Sequence, residues 1–259
     1  MDTYGDECGY LRVRSEKIER DVSVKMKRQE GACLICGKPL VYYETGREME
    51  CSICHKSVES YASCEDGHYV CDECHAKKGI EVIMEGCLKS RSKNPILIMQ
   101  ELMEDPYIYM HGPEHHIMVG AVLIAAYDNC GGKIDREQAL QEMKKRGSTY
   151  PGGSCGLWGA CGAAVSTGMF ISIITKATPL TGNSWGMANE MTSRSLAEIA
   201  RLGGPRCCKR NSFTAVKTAV EYVGEKLGIM MELPGEIKCE FSLENKQCKK
   251  KACPYYRNA

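Results

Sequence analysis

Apolar and polar positions follow a helical period through the middle of the chain, from about residue 94 to residue 229. Apolar side chains recur there roughly every three to four residues, as in helices that bury one face, and Gly and Pro separate the segments. The pattern predicts six helices, over residues 95–104, 113–127, 135–146, 161–176, 188–202 and 212–227. Asp135 is the expected N-cap of the third helix, with Gln138 three positions on.

The segments on either side have different patterns. Residues 1–30 are polar and charged, and residues 31–86 contain short β-like pieces such as 40–43 but few side chains that could form a core. A module of that size usually needs a metal ion to fold. The sequence therefore predicts a mainly α fold, with a small N-terminal β-rich zinc-binding module, an α-helical domain over residues 94–229 and a Cys-bearing C-terminal tail over residues 230–259.

Composition and charge narrow the class of protein. Of the 259 residues, 43% are hydrophobic and 26% are charged, which is typical of a globular protein and excludes a disordered or collagen-like chain. The formal net charge of +1 gives no general attraction to nucleic acid, and the basic tail is expected to be a solvated face. The longest apolar runs, residues 117–127 and 163–174, are shorter than the roughly 18 residues of a membrane helix. We therefore expect neither nucleic acid nor a membrane as a partner.

Seventeen cysteines are the unusual feature of the composition. The N-terminus lacks the basic and apolar regions of a signal peptide, which predicts a cytoplasmic protein. Thiols are kept reduced in the cytoplasm, so cysteines in such number are expected to be metal ligands or reactive groups rather than disulfides.

Eight residues in the segment 31–86 have the spacing of zinc ligands: Cys33, Cys36, Cys51, Cys54, Cys64, His68, Cys71 and Cys74. Zn²⁺ takes thiolate and imidazole ligands in tetrahedral sets of four, which predicts two ions. In a sequential pairing the first four residues hold one ion and the last four hold the other. In a cross-braced pairing, as in RING-like modules, the first Cys pair joins Cys64 and His68, and the second pair joins Cys71 and Cys74. The sequence leaves both pairings open, with His55 and His75 as spare imidazoles, and it lacks the last Cys pair of a ubiquitin-ligase RING.

The string HGPEHH, over residues 111–116, opens the second predicted helix. It contains H-x-x-E-H, the pattern of an inverted zinc protease. Pro113 is expected to begin the helix, which leaves His111 outside it and disfavours the protease. Three imidazoles and a carboxylate within six residues still predict a metal, substrate or proton-transfer role, for His115 and Glu114 as acid–base groups and for His111 and His116 as cofactor-binding groups.

A glycine-rich stretch over residues 151–164 contains Cys155 and Cys161. Cys161 is expected at the start of a helix, where exposed amides and the helix dipole favour a thiolate. Cys207 and Cys208 follow another glycine turn at the head of the last helix. We expect these thiols to converge, either as ligands of an iron–sulfur cluster or as a reactive dithiol pair. The alternative is a glycine-rich loop that only packs two helices closely.

The C-terminal tail carries Cys239, Cys248 and Cys253, the last followed by proline. A Cys-Pro pair is typical of ferredoxin-like iron–sulfur ligation, although these spacings are wider than the common ones. Either an iron–sulfur cluster or a third zinc ion would need a fourth ligand from elsewhere in the chain. The candidates for that ligand are Cys8, Cys87, Cys130, Cys207 and Cys208.

The zinc-ribbon-like N-terminal module, the HGPEHH and GGSCGLWGACGAA strings and the Cys-Pro tail resemble an uncharacterised family of archaeal and anaerobic bacterial proteins, over about residues 30–256. Members of that family are sometimes joined to a methyltransferase domain. The resemblance implies an anaerobic, metal-rich setting and a link to methyl or sulfur chemistry, but it assigns no catalytic roles. This chain has no methyltransferase glycine signature of its own.

These observations predict an iron–sulfur- or thiolate-dependent enzyme of anaerobic sulfur or methyl-group metabolism. Cys155, Cys161 and Cys207 are the candidate cluster ligands or nucleophiles, and His115 or Glu114 is the candidate acid–base partner. The expected cofactors are two Zn²⁺ in the N-terminal module and an iron–sulfur cluster in the helical domain or the tail. The alternative is a non-catalytic zinc-binding scaffold or interaction module for a partner enzyme, such as a methyltransferase or a sulfur-transfer protein.

Overall fold

The computed structural model describes residues 33–257, and in this part of the chain the fold is mainly α. Eight helices follow a single two-stranded sheet within the described residues. This confirms the predicted fold class. The polar segment 1–30, with Cys8, lies outside the described residues.

The N-terminal module is a β-hairpin, of strands β1 (Leu40–Glu50) and β2 (Ser57–Cys64). The strands pair antiparallel, with Leu40 opposite Cys64 and Glu50 opposite Ser57, and the register shifts at an irregularity between Tyr42 and Arg47. Most residues of both strands are exposed. A two-stranded sheet with no core is marginally stable in water, so the module needs the cysteine groups at its two ends.

Helix α1 (Asp72–Lys89) begins directly after Cys71 and connects the module to the helical domain. It was not among the predicted helices, and it continues past the predicted module end at residue 86. Its buried residues Ala76, Gly79, Ile83 and Cys87 recur every three to four positions, which is the helical period that the metal-ligand spacing obscures in the sequence. Ile83 and Cys87 join the core of the helical domain.

Seven further helices form the rest of the domain: α2 (Pro95–Met103), α3 (Glu114–Asn129), α4 (Arg136–Ser148), α5 (Ser154–Leu157), α6 (Gly162–Ile174), α7 (Asn183–Leu202) and α8 (Cys208–Leu227). All six predicted helices are present. Helix α3 is buried along most of its length and contacts α1, α2, α4, α6 and α8, so it is the central helix. The first turns of α1, α6 and α8 lie with the start of α3 around one cavity.

The helix ends follow the expected chemistry at several positions. The Asp135 side chain accepts a hydrogen bond from the Gln138 amide at 2.9 Å, which confirms the predicted N-cap of α4. Gly203 ends α7 with φ +65°, a backbone conformation that favours glycine. Helices α7 and α8 begin about four to five residues before their predicted starts, because their first turns do not show the apolar period of a helix. No helix of the described residues is long and apolar enough to cross a membrane.

Candidate metal centres and a thiol–histidine cavity

Two groups of ligand atoms in the N-terminal module lie close enough together to hold a metal ion. The first cluster is Cys33, Cys36, Cys64 and His68, and the second cluster is Cys51, Cys54, Cys71 and Cys74. Within each cluster the ligand atoms lie within 4.8 Å of one another. The arrangement is therefore the cross-braced one of the two pairings that the sequence left open, because the hairpin brings the end of β2 back to the start of β1.

Backbone amides point at the sulfur atoms of both clusters. The Ile35 amide donates to Cys33 Sγ at 3.4 Å, and the Cys71 amide donates to Cys51 Sγ at the same distance. Burial works against ionisation of Cys51, but the amide hydrogen bonds outweigh it and lower the pKa of this thiol to about 6. A thiolate that forms readily near neutral pH is suited to metal binding. Of the spare histidines, His55 is exposed and pairs with Glu50 at 2.8 Å, away from either cluster.

A cavity of about 320 Å³ lies where helices α1, α3, α6 and α8 begin. We call it the thiol–histidine cavity, because cysteines and histidines from distant parts of the sequence line it. The predicted site residues among them are His111, His115, His116, Cys155, Cys161, Cys207 and Cys208. The cysteines of the two glycine-supported turns thus meet at one cavity, as their positions before helices suggested.

The cavity cysteines do not form a compact ligand set. Among the described residues, ligand atoms lie within 4.8 Å of one another in groups of three or more only in the two clusters of the N-terminal module, so the cavity cysteines are in no such group. Cys155, Cys161 and Cys208 therefore do not form the compact ligand set that a single bound metal ion needs. This geometry is suited to free thiols that face a bound molecule.

Glu114 and His115 form a buried pair at the start of α3, with exposed fractions of 0% and 1%. The Glu114 Oε1 atom accepts from the Tyr109 amide at 3.1 Å and lies 3.3 Å from His115 Nδ1. His115 Nδ1 also lies 3.1 Å from the Gly112 carbonyl oxygen, which can only accept, so Nδ1 carries the proton. Burial holds the pKa of His115 below its ordinary value, so the ring is neutral and its Nε2 atom is an unprotonated acceptor.

The Nε2 atom of His115 is buried and has no hydrogen-bond partner among the described residues. His115 lines the cavity, whereas Glu114 lies behind it and does not. Glu114 therefore positions His115 from behind, although the sequence had suggested it as an acid–base group in its own right. His111 precedes the helix, as predicted from Pro113, so no H-x-x-E-H metal site forms on one helix face.

Cys161 is the N-cap residue of α6, and its Sγ accepts a hydrogen bond from Asn211 Nδ2 at 3.4 Å. The Asn211 side chain is oriented by Arg210, whose Nε donates to Asn211 Oδ1 at 3.1 Å. Asn211 therefore sets the environment of Cys161, although no motif in the sequence indicated it. Its position three residues after the Cys207–Cys208 pair, in the first turn of a helix, was the available signal.

Three other cavity residues were also missed. Asp72 and His75 come from α1, and Arg206 precedes the Cys207–Cys208 pair. The first two could not be placed without α1, which the sequence analysis did not predict. His75 stacks on Tyr109, with ring centroids 4.1 Å apart, so it belongs to the cavity wall rather than to a metal cluster.

Cys207 faces a second, smaller pocket as well as the thiol–histidine cavity. We call it the tail pocket, because the other cysteines that line it are Cys239, Cys248 and Cys253. Cys87 is instead fully buried in the helical core, and Cys130 lies by the Lys93 carbonyl. Among the described candidates for a fourth tail ligand, Cys207 is therefore the one that the fold brings to the other three.

A comparison with known protein families covers the helical domain and most of the C-terminal tail. The profile of a family described as a family of unknown function (DUF5714) matches residues 83–256, about two thirds of the chain. The matched region includes helices α2 to α8 and the tail pocket, and it begins after the N-terminal metal clusters. No curated protein and no solved structure matches the chain. The chain belongs to the DUF5714 family of unknown function.

Proposed function

We propose that the protein is a thiolate-dependent enzyme of sulfur or methyl-group metabolism, with the thiol–histidine cavity as its active site. The observation that carries the proposal is that Cys155, Cys161, Cys208 and His115 line one cavity, and that the buried Nε2 atom of His115 has no partner among the described residues. In this proposal Cys161 is the nucleophile, and His115 accepts its proton. Asn211 stabilises the developing thiolate through its hydrogen bond at 3.4 Å.

The charge of the cavity supports an anionic substrate. Helices α1, α3, α6 and α8, of 13 to 20 residues, all begin at its wall, and in α1, α3 and α6 no N-cap side chain accepts from the first-turn amides. Such amides and the helix dipoles attract anions. Arg206 adds a cation, and among the described residues that line the cavity Asp72 is the one carboxylate.

This charge favours sulfur transfer over methyl transfer from a sulfonium donor. A sulfonium carries a positive charge, whereas small donors of sulfane sulfur, such as thiosulfate, are anions. We propose that the Cys161 thiolate attacks the outer sulfur of such a donor. A new S–S bond forms on Cys161, the S–S bond of thiosulfate breaks, and sulfite leaves with the electron pair, so that a cysteine persulfide results without an external oxidant.

The test uses full-length protein purified under nitrogen and incubated with thiosulfate. We expect a persulfide on Cys161, counted by cyanolysis and located by peptide mass spectrometry. Cys161→Ser should abolish it. Cys130→Ser is the matched control, because Cys130 is also half-buried but lies outside the cavity, and it should leave the yield unchanged. No persulfide on the wild type, or an equal yield from Cys161→Ser, would overturn the proposal.

A non-catalytic interaction role is the second candidate, and the surface of the β-hairpin favours it. Tyr42 and Tyr61 are 69% and 55% exposed, and Val41 and Val58 are also exposed. Val41 and Tyr42 are neighbours on β1 and therefore face opposite sides of the hairpin, so apolar groups on both of its faces would be available to a partner protein. In this case the hairpin would recruit a partner enzyme of methyl or sulfur transfer, and the persulfide test would be negative although both N-terminal clusters hold metal.

A further inference from the structure

The tail pocket collects four cysteines from two separate parts of the chain. Cys207 lies at the N-cap of α8, and Cys239, Cys248 and Cys253 belong to the tail. The thiols are near enough to influence one another, since negative charge on Cys248 and Cys253 contributes to raising the pKa values of Cys207 and Cys239, after the larger effect of burial. Four thiols that face one small pocket are a complete ligand set for a metal centre.

The spacing of these sulfur atoms differs from that of the N-terminal clusters. A tetrahedral zinc ion with Zn–S bonds of about 2.3 Å holds its sulfur atoms about 4 Å apart. Both N-terminal clusters are that compact, whereas the tail cysteines are in no group of three or more ligand atoms within 4.8 Å of one another among the described residues. A cube of four irons and four sulfides binds thiolates at its outer corners, so it does not need its ligand sulfur atoms as close together as a zinc ion does.

The walls of the pocket are suited to such a cluster. Met110, Phe241, Tyr255 and Tyr256 line it with apolar groups. Apolar walls exclude water, which otherwise makes iron–sulfur clusters labile and alters their reduction potential.

Hydrogen bonds to sulfur are already in place. The Arg210 amide donates to Cys207 Sγ at 3.4 Å, and the Lys250 amide donates to Cys248 Sγ at 3.3 Å. The buried Asn245 side chain adds a third bond, from Nδ2 to Cys207 Sγ at 3.5 Å. Such bonds stabilise thiolate ligands and tune the potential of a cluster.

The buried guanidinium of Arg210 beside the tail pocket needs a negative counter-charge. The Arg210 side chain is 4% exposed, and its guanidinium hydrogen-bonds to three neutral oxygens, of Asn211, Gly203 and Pro205. No carboxylate of the described residues forms an ion pair with it. A buried guanidinium without a counter-charge is costly, and four thiolates around a cluster would supply that charge.

The tail needs a source of order that its backbone does not supply. Between α8 and residue 257 the regular elements are a three-residue 3-10 helix and one isolated bridge, which pairs Cys239 with Tyr256. Phe241 and Tyr255 pack against the helical core, and metal ligation by the pocket cysteines would add order to the segment between these two residues. We propose that Cys207, Cys239, Cys248 and Cys253 hold one [4Fe–4S] cluster.

This centre borders the thiol–histidine cavity, because Cys207 lines both the cavity and the tail pocket. Its neighbour Cys208 lines the cavity but not the tail pocket. The proposal does not rest on the sulfur-transfer function. A cluster can be present in a protein whose cavity forms no persulfide, and the two tests therefore fail separately.

The experiment is metal analysis and spectroscopy of the full chain, purified under nitrogen from iron-replete cells. We expect about four irons and four sulfides per chain, with an absorption near about 400 nm that dithionite bleaches, together with about two zinc ions in the N-terminal module. A third zinc in place of iron, or two irons per chain, would overturn the proposal.

Substitutions locate the cluster. Cys207→Ala and Cys248→Ala should each lose most of the iron and the colour but keep both zinc ions. Cys208→Ala is the matched control, since Cys208 is next in the chain but does not line the tail pocket, and it should keep the iron. Circular dichroism and the zinc content show whether each variant is folded. Retention of full iron by folded Cys207→Ala or Cys248→Ala, or its loss from folded Cys208→Ala alone, would contradict the assignment.

Discussion

Replacing Gly162 by Ala tests the packing that forms the cavity wall. Gly162 is the first residue of α6, and the His116 ring lies across it. A Cβ at this position would lie 2.7 Å from His116 Cγ and closer still to two other ring atoms. The ring cannot move aside freely, because its Nδ1 donates to the Tyr150 carbonyl oxygen at 3.1 Å and it packs edge-on against the Tyr150 ring.

The expected effect of Gly162→Ala is a net loss of stability. Overpacking of a buried site costs about 1–3 kcal/mol, and a displaced His116 would also lose a hydrogen bond of about 1 kcal/mol. Alanine regains at most about 1 kcal/mol from its helix propensity. We therefore expect the free energy of unfolding to fall by about 1–3 kcal/mol.

Urea unfolding followed by circular dichroism, at fixed metal content, measures this change. Gly186→Ala is the matched control, because Gly186 also lies in the first turn of a helix but has no atom within 4 Å of the position of a Cβ. That substitution should raise stability, by up to about 1 kcal/mol. If Gly162→Ala were as stable as the wild type, or gained as much as the control, the described packing of His116 on α6 would be wrong.

Three further predictions concern the cavity and the metal clusters. Asn211→Leu removes the hydrogen bond to Cys161 Sγ, so persulfide formation on Cys161 should slow by about tenfold or more, while Asn211→Gln should retain part of the rate. A chelator that removes metal from both N-terminal clusters should unfold the β-hairpin but leave most helical circular dichroism, because the hairpin has no core of its own. Burial lowers the pKa of His116, so the unfolded chain binds the proton first as the pH falls below about 6.5. Stability should therefore decline from that pH toward the lower pKa of the folded state, and His116→Gln should show a smaller decline in acid unfolding titrations.

The helical half of the fold could be predicted from the sequence because its apolar period is regular. Helix α3 is buried on nearly every side, yet its start at Glu114 followed from Pro113 and its polar neighbours. Helix α1 was missed because its N-cap residue Cys71 and its first-turn residue Cys74 were interpreted as metal ligands. The same stretch of sequence therefore has both a metal-ligand spacing and a helical period, and the metal-ligand spacing concealed the helical period.

Only some of the residues that line the cavity, and only part of their arrangement, were predictable from the sequence. The glycine turns before Cys161 and Cys207 indicated helix entrances, and helix entrances around one central helix converge. Asn211 and Arg206 contact this site only because α8 packs against α6, which no local pattern encodes. Cys207 lines the tail pocket and Cys208 does not, and this difference likewise depends on the path of the tail.

The most direct measurement is differential alkylation of the native protein under nitrogen, with each cysteine quantified by peptide mass spectrometry. The account predicts that Cys155 and Cys161 are modified first. The cysteines of the N-terminal clusters and of the tail pocket should react only after metal is removed. The tail-pocket cysteines should become reactive when oxidation removes the iron. Equal labelling of the tail and cavity cysteines in the untreated protein, or a Cys161 that stays unmodified, would contradict a free-thiol cavity beside a separate metal centre.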